Sequence, residues 1–305
     1  MNPIPAAVGS DPVPSRAAPS LVSVVVPVLN AEQTLPEVLA ALSCQSYRGA
    51  WEVIIALDTS SVDACADIAR RWVERESCAR VVETPGGTGG ARVRNAGVRA
   101  ARGDFIAFCD ADDAVHPDWL SGLASVAPYA DLLSGRNDYE RLNRPLVRSW
   151  HPDRPRERSQ EHLGFLPFAS GANVAAWRDV LEALGGFDES TASGEDVDLS
   201  WRAHFASYRL RFAADAVVHY RFRHTLRGLA AQYYKYGKGN AWLFARHASA
   251  GMPSSGLGAG LRRWWMVLRG VGYLHSSSYR GRWVRLVALS AGRIVGSVRH
   301  RTVYL

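Results

Sequence analysis

Two hydrophobic periodicities alternate along the first third of the chain. Leu21-Val22-Ser23-Val24-Val25-Val26 is an almost unbroken apolar, β-branched run, the pattern of a strand buried on both faces. Pro27 closes it, and Asn30 is expected to cap the helix that follows. From Glu32, the residues Leu35, Val38, Leu39 and Leu42 recur at three- and four-residue spacing, which predicts an amphipathic helix. Trp51 to Leu57 reads as a second strand, ending at Asp58 and the polar turn Thr59-Ser60-Ser61. Asp63 opens a helix through Ala66, Ile68, Ala69 and Trp72, and Arg80-Val81-Val82 is a short third strand. Strand and helix alternating in this way predict an α/β fold with a parallel, doubly wound sheet.

The next apolar run, Phe105-Ile106-Ala107-Phe108-Cys109, leads straight into Asp110-Ala111-Asp112-Asp113. It is short and aromatic, as a buried strand is. A strand ending in acids delivers them to the carboxyl edge of the sheet, where open α/β sheets bind ligands. Strand alternation would put Asp110 and Asp112 on one side. Like charges so close need a shared proton or a cation between them. A hard divalent cation such as Mg²⁺, with a phosphorylated ligand, satisfies that need. The bland reading is a solvated acidic turn before the helix that follows Pro117. Gly86-Gly87-Thr88-Gly89-Gly90 precedes a helix, but it lacks the Gly-Lys-Ser/Thr of a phosphate loop and reads as a flexible turn. Arg94, on that helix, either neutralises a ligand phosphate or is an exposed charge.

Further on, Arg136 to Gly164 is charged and interrupted by Pro152 and Pro155, and reads as a loop. Gly171-Ala172-Asn173 should return to the core beside it. Leu226 to His247 is a helix, Ser254 to Gly260 a Gly/Ser hinge, and Arg282 to His300 a second long helix. On a helical wheel Trp283, Val284, Val287, Ala291, Ile294, Val295 and Val298 gather on one face, and Arg282, Arg285, Arg293 and His300 on the other.

Charge sharpens this division. The chain of 305 residues carries a net +7, yet its last acid is Asp215. Residues 216–305 hold 15 Lys and Arg and no Asp or Glu, while the remaining 21 basic and 29 acidic residues leave the body at −8. No uncharged run reaches the roughly 20 residues that span a bilayer. A basic amphipathic helix with Trp at its boundary suits an anionic membrane surface; packing on the protein's own core is the competing reading. The first twenty residues are Pro-, Ala- and Ser-rich without a signal-peptide core, and read as a disordered leader. Four cysteines without a Cys-x-x-Cys pair read as reduced thiols. The expected location is therefore cytoplasmic, peripheral on the inner face of the membrane.

Taken in order, several motifs resemble the inverting family 2 glycosyltransferases of the GT-A fold. They are Ser23-Val24-Val25-Val26-Pro27-Val28-Leu29-Asn30, the strand ending at Asp58, Arg94-Asn95-Ala96-Gly97 leading to Gly103-Asp104-Phe105-Ile106, and Asp110-Ala111-Asp112-Asp113. Gly185-Gly186-Phe187-Asp188-Glu189 and Gly194-Glu195-Asp196-Val197-Asp198-Leu199 follow on the acceptor side. The resemblance covers about residues 21–220. It implies a nucleotide-sugar half (about 21–115), an acceptor half (about 116–220), which places the Arg136 to Gly164 loop on the acceptor side, and a helical basic extension (221–305).

The resemblance also implies roles. Pro27, Asn30, Asp58, Arg94 and Asp110 would line the site of a nucleoside-diphosphate sugar. Asp112 would hold Mg²⁺ or Mn²⁺, with His219 either a further ligand or a strand-end histidine bonded to backbone. Asp196 would be the general base, with Glu195 and Asn173 beside a glycan or lipid-linked acceptor. Two departures stand out. One acid, not two with Gly-Ser, follows the second strand, and Gly260-Leu261-Arg262-Arg263-Trp264 lacks the Gln of the processive synthases' Gln-x-x-Arg-Trp. A single-addition enzyme is expected. Two other classes compete. A nucleotidyltransferase would carry a Gly/Lys/Arg-rich loop where this chain has Pro27-Val28-Leu29-Asn30. A non-catalytic module with a nucleic-acid-binding tail would not need Asp58, Asp112 and Asp196 together, and no nucleic acid is expected.

Overall fold

The structure is a computed structural model, and it describes residues 15–85, 89–152 and 158–305. The first half follows the predicted alternation: β1 (Val22–Val28), α1 (Leu35–Ser43), β2 (Trp51–Asp58), α2 (Cys65–Val73), β3 (Ala79–Thr84), α3 (Gly90–Ala100) and β4 (Phe105–Phe108). Then come β5 (Ala114–Val115), α4 (Trp119–Val126), β6 (Leu132–Asp138), α5 (Pro145–Arg148), β7 (Gln160–His162) and β8 (Leu166–Phe168). The chain continues through β9 (Val174–Trp177), α6 (Arg178–Ala183), α7 (Glu195–Phe205) and β10 (Leu210–His219), and ends in α8 (Leu226–His247), α9 (Leu257–Gly270) and α10 (Ser277–Arg299).

One eight-stranded sheet runs in the order β3-β2-β1-β4-β9-β6-β10-β5. β1, β2, β3 and β4 are parallel, as is β6 with β10. β9 enters antiparallel between β4 and β6, so the sheet is mostly parallel and flanked by helices, as the GT-A resemblance implies, and not wholly parallel as the alternation alone suggested. Both faces are covered. Val24, Val26 and Ile55 pack with Leu35, Leu39 and Trp119 on one face, and Val25, Ile54 and Phe108 with Ala91, Phe187 and Leu199 on the other. This explains why the strands read as unbroken apolar runs.

Several expectations shift. Asn30 does not cap a helix: it sits at φ 49° and its Oδ1 accepts from the Val62 N–H at 2.9 Å. The helix starts later, behind Thr34, with Pro36 in the first turn where its missing N–H costs nothing. Thr34 Oγ1 donates instead to the Ala111 carbonyl at 2.8 Å, tying α1 to the acidic turn. The described residues of the segment 136–164 are not a plain loop; they carry the end of β6, the short α5 and β7, the first strand of the β7–β8 hairpin, while Pro155 lies outside the described residues. Residues 257–260 of the expected hinge are the first turn of α9. Residues 1–14 of the expected leader lie outside the described residues. Arg16 is already anchored, with ion pairs to Asp131 and Asp179 and its guanidinium 5.0 Å over the Trp177 ring.

The basic C-terminal region is packed onto the body. Tyr139, Val147, Trp150, Phe222, Leu229, Tyr233 and Ala288 form one apolar cluster, and Val197, Trp201, Trp242, Leu243 and Tyr304 belong to another. α8 and α10 cross at Gly237 and Gly292, where added Cβ atoms would drive into the Leu289 and Tyr234 carbonyls. This contact rearranges the two faces expected of α10. Gly292, Gly296 and Ser297 are buried with Arg293, whereas Ile294, Val295 and Val298 are exposed. The helical wheel ranked residues by polarity, but backbone approach selects for small size instead.

Gly292→Val should therefore cost about 1–3 kcal/mol by overpacking, seen as a lowered thermal midpoint by circular dichroism. Gly258→Ala, with open space around its Cβ, should be neutral or slightly stabilising. Equal midpoints for Gly292→Val and wild type would refute the close crossing.

Candidate functional site

The carboxyl ends of β1, β2 and β4 face a cleft of about 610 Å³, lined among others by Pro27, Asn30, Asp58, Arg94, Asp110 and Asp112. Asp58 ends β2 and is 1% exposed. Its Oδ1 accepts from the Ser60 N–H (2.9 Å) and hydroxyl (2.7 Å), and its Oδ2 has no protein partner. A buried carboxylate oxygen without a donor is costly, so this one is available to a ligand.

β4 stops at Phe108, so strand alternation does not reach the acids. A turn gathers them instead: Asp110, Asp112 and Asp113 bring one carboxylate oxygen each within 4.8 Å of the others. Burial raises the Asp112 and Asp113 carboxyls above the ordinary range, and neighbouring acids push in the same direction. Asp113 Oδ1 accepts from the Arg221 N–H at 2.7 Å, while its Oδ2 is buried without a partner. Asp112 is paired with Arg223 at 2.9 Å. An all-oxygen set with mutual repulsion and an orphaned oxygen fits a hard divalent cation.

Arg94 settles its two readings: it is neither exposed nor free to roam. Its side chain is 8% exposed, donating from one Nη to Asp110 Oδ1 at 2.6 Å and from the other to Glu195 Oε1 at 2.9 Å. It thus joins β4 to the start of α7. Room for the guanidinium depends on glycine: a Cβ on Gly90 would come within 2.5 Å of an Arg94 nitrogen. The neighbouring Asn95 exchanges hydrogen bonds with the Phe187 backbone and reaches Glu189, so two of the separate motifs meet here.

Gly194, at φ 90°, makes the left-handed turn that α7 starts from. Asp196 Oδ2 accepts from the Gly171 N–H at 2.8 Å and Oδ1 from its neighbour Val197 at 2.9 Å. Burial raises both Glu195 and Asp196 above the usual carboxylate range, Arg94 opposing it in each. A second cleft of about 470 Å³ holds Arg94, Asp110, Asp112, Glu195 and Asp196 together. The acid cluster and the Asp196 carboxylate therefore open on one space.

Two expected site residues lie elsewhere. His219 does not join the acid cluster. Its Nδ1 is 2.8 Å from Asp138 and its Nε2 3.1 Å from Arg141, in a different cleft with His116. The end of β10 turns its ring toward β6, which sequence distance from the acids could not show. Asn173 is 0% exposed: it accepts from the Trp119 indole and donates to the Arg136 and Ala216 carbonyls. It stitches strands together and cannot touch a ligand. Conversely, Asp113, Arg221, Arg223 and Lys235 line or brace the site without having been singled out. The signal was present in the basic pair flanking Phe222 immediately after the last acid, Asp215.

Arg94→Met should cost about 3–5 kcal/mol near neutral pH, because Glu195 and Asp110 lose their buried counterion. Glu195, already raised by burial and held down by Arg94, would be protonated in the folded state at a pH where it ionises when unfolded. Such raised groups favour the folded state in acid and lose that advantage as pH rises. The penalty should accordingly shrink at pH 5 relative to pH 7.5 in urea titrations. An equal penalty at both would sink the ion-pair account.

Comparison with known proteins adds to this geometry. Of two family models that match, the one described as glycosyl transferase family 2 covers residues 23–185, and a glycosyl transferase family group 2 model covers 105–294. A pre-mycofactocin glycosyltransferase of Mycobacterium tuberculosis is 31% identical over 277 residues, 85% of this chain and 55% of that protein. The chain thus spans about half the length of that relative. The mannosyltransferase PcManGT of Pyrobaculum calidifontis, solved with GDP-Man and Mn²⁺, superposes with a TM-score of 0.66 at 21% identity, over 94% of this chain and 89% of that one. TarS 1-349 of S. aureus, solved with UDP-GlcNAc, gives 0.55 at 18% identity over 93% of each chain. These likenesses establish the GT-A fold, and with the family match over more than half its length the chain belongs to glycosyl transferase family 2.

Proposed function

We propose that the chain transfers one sugar from a nucleoside-diphosphate sugar to an acceptor hydroxyl, with a divalent cation and inversion at the anomeric carbon, in the synthesis of a polysaccharide, glycolipid or cell-envelope glycan. One observation carries this reading: Asp110 and Asp112 of the acid cluster line a single space with the Asp196 carboxylate, with Arg94 between them and Asp113 behind. Structural neighbours solved with GDP-Man and Mn²⁺ or with UDP-GlcNAc support the class of donor.

Each residue then has a task. Asp58, with its unpartnered Oδ2, accepts a hydrogen bond from the base or ribose of the donor. Arg223 and Lys235, both on the cleft wall, face the diphosphate. Asp110, Asp112 and Asp113 would hold Mg²⁺ or Mn²⁺, which neutralises the charge growing on the departing diphosphate. Asp196 takes the acceptor proton. As the acceptor oxygen bonds to the anomeric carbon, the bond to the diphosphate breaks on the opposite face. Burial makes Asp196 a stronger base than an ordinary carboxylate, while its two backbone N–H donors fix its orientation.

Asp112→Asn and EDTA should each abolish most turnover, read as release of nucleoside diphosphate, and Mn²⁺ or Mg²⁺ should restore the chelated wild type. Asp196→Asn should lower kcat about 10²–10⁴-fold with donor affinity near normal. Full activity in EDTA would defeat the metal assignment. A collapse of donor affinity with kcat intact would move Asp196 to the donor site.

A peripheral membrane position, on the cytoplasmic face, completes the proposal. No helix among the described residues is long and apolar enough to cross a membrane. α9 supports surface attachment better than α10 does. Leu257, Leu261, Trp265 and Leu268 recur at helical spacing and are each more than half exposed, beside the exposed Arg262 and Arg269. A stripe of this kind lies flat in a lipid interface. Burying one such side chain contributes about 1.5–3 kcal/mol, and each arginine near an anionic leaflet about 1 kcal/mol. Leu261→Glu with Trp265→Glu should therefore reduce co-sedimentation with phosphatidylserine-containing vesicles by about tenfold or more. Wild type that ignores such vesicles would refute the attachment.

A further inference from the structure

On the other side of Asp196 lies a third cleft, of about 550 Å³. The β7–β8 hairpin contributes His162 and Phe168, and α8 contributes Tyr233 and Tyr236. α10 contributes two cations, Arg285 and Arg293. Asp196 and Ser170 line both this cleft and the one that holds the acid cluster, so whatever fills the third cleft is presented to the base.

The cations are unusual in what surrounds them. Arg293 is 6% exposed, with its guanidinium 4.9 Å over the Tyr304 ring. Its remaining hydrogen bonds go to a Leu305 oxygen at 3.5 Å and, with the Asn240 amide turned to donate to the Tyr236 carbonyl, to the Asn240 oxygen at 3.1 Å. Arg285 lies 5.5 Å over the Tyr233 ring, and its buried Nε has no hydrogen-bond partner. Among the described residues neither arginine pairs with an Asp or Glu side chain, and the sequence after Asp215 contains none to offer. The two acids on the cleft wall are Glu161, which is exposed, and Asp196, which the reaction needs. Burial and the nearby Arg263 hold Arg293 down to about 10. Positive charge placed in a partly dry, aromatic cleft costs free energy unless an anion joins it.

Resting on the glycosyltransferase reading above, we infer that the acceptor is anionic: it carries a phosphate or carboxylate group that Arg285 binds directly in the third cleft, with Arg293 adding positive charge behind it and the tyrosines flanking the rest. Part of the basic character of the tail thus serves acceptor choice and not only surface attachment.

The test uses the full chain with Mn²⁺ and saturating UDP or GDP, so that the donor side is filled. Phenyl phosphate, benzoate and neutral phenyl β-D-glucoside are titrated by calorimetry. A hydrogen bond to a charged group contributes about 1.5–3 kcal/mol, so at least one charged probe should bind about tenfold or more tightly than the glucoside. Which of the two binds better identifies phosphate or carboxylate as the recognised group. Arg285→Gln should remove most of the preference and Arg285→Lys should keep part of it, whereas Arg48→Gln, at an exposed site on neither cleft, should keep it all. Equal affinity of wild type for charged and neutral probes would overturn the proposal, whether or not the variants fold; so would a preference that survives Arg285→Gln. Release of nucleoside diphosphate by wild type, assayed in parallel, judges the glycosyltransferase reading separately.

Discussion

The buried guanidinium of Arg94 is the contact on which the site depends. Two carboxylates from distant parts of the chain, Asp110 after β4 and Glu195 at the start of α7, are brought out of water around it. Neither acid would be stable there alone, and the cation would not be stable without them. The arrangement fixes the distance between the acid cluster and Asp196, because Asp196 follows Glu195 directly. Glycines clear the space: Gly90 and Gly171 both approach the guanidinium too closely to carry bulk. A single ion triad therefore sets the geometry between the side that would release a diphosphate and the side that would deprotonate an acceptor.

Around this centre the polar groups divide into satisfied and unsatisfied. Asn95, Asn173 and Arg202 have their hydrogen bonds consumed by backbone and neighbouring side chains and hold segments together. Asp58 and Asp113 each keep a buried oxygen without a partner, and Arg285 a buried N–H. These orphans all occur on the walls or the rim of the clefts that meet near Arg94. Buried polar groups are normally paired; other unpartnered atoms lie elsewhere, at Asn137 and Arg148 among others, but these three lie along the path that the proposed function would run from nucleotide to cation to acceptor.

The C-terminal helices complete that path. Their acid-free composition suggested a partner outside the chain, and α9 retains an apolar stripe that fits one. α10 behaves differently. Its glycines let it press against α8 until backbones nearly touch, and this draws Arg293 inward to the third cleft. The same stretch of positive charge is thereby divided between an outer surface and an inner wall.

Strand and helix periods, with the acids at strand ends, were legible in order from β1 to β4, because local burial on two faces of a sheet writes itself into consecutive residues. The family resemblance was legible for the same reason: Asp58, Asp110, Asp112, Glu195 and Asp196 sit at fixed offsets from strands and helix starts. What the linear pattern could not contain were the partnerships made across the sheet. It did not show that β9 runs antiparallel between β4 and β6, that Asn173 is spent on the Trp119 indole, or that His219 turns to Asp138. Nor did it show that Arg94 is a buried brace rather than a surface charge. Polarity marks a residue as costly to bury, but only the tertiary structure supplies, or withholds, the partner that decides whether it holds the fold together or waits for a ligand.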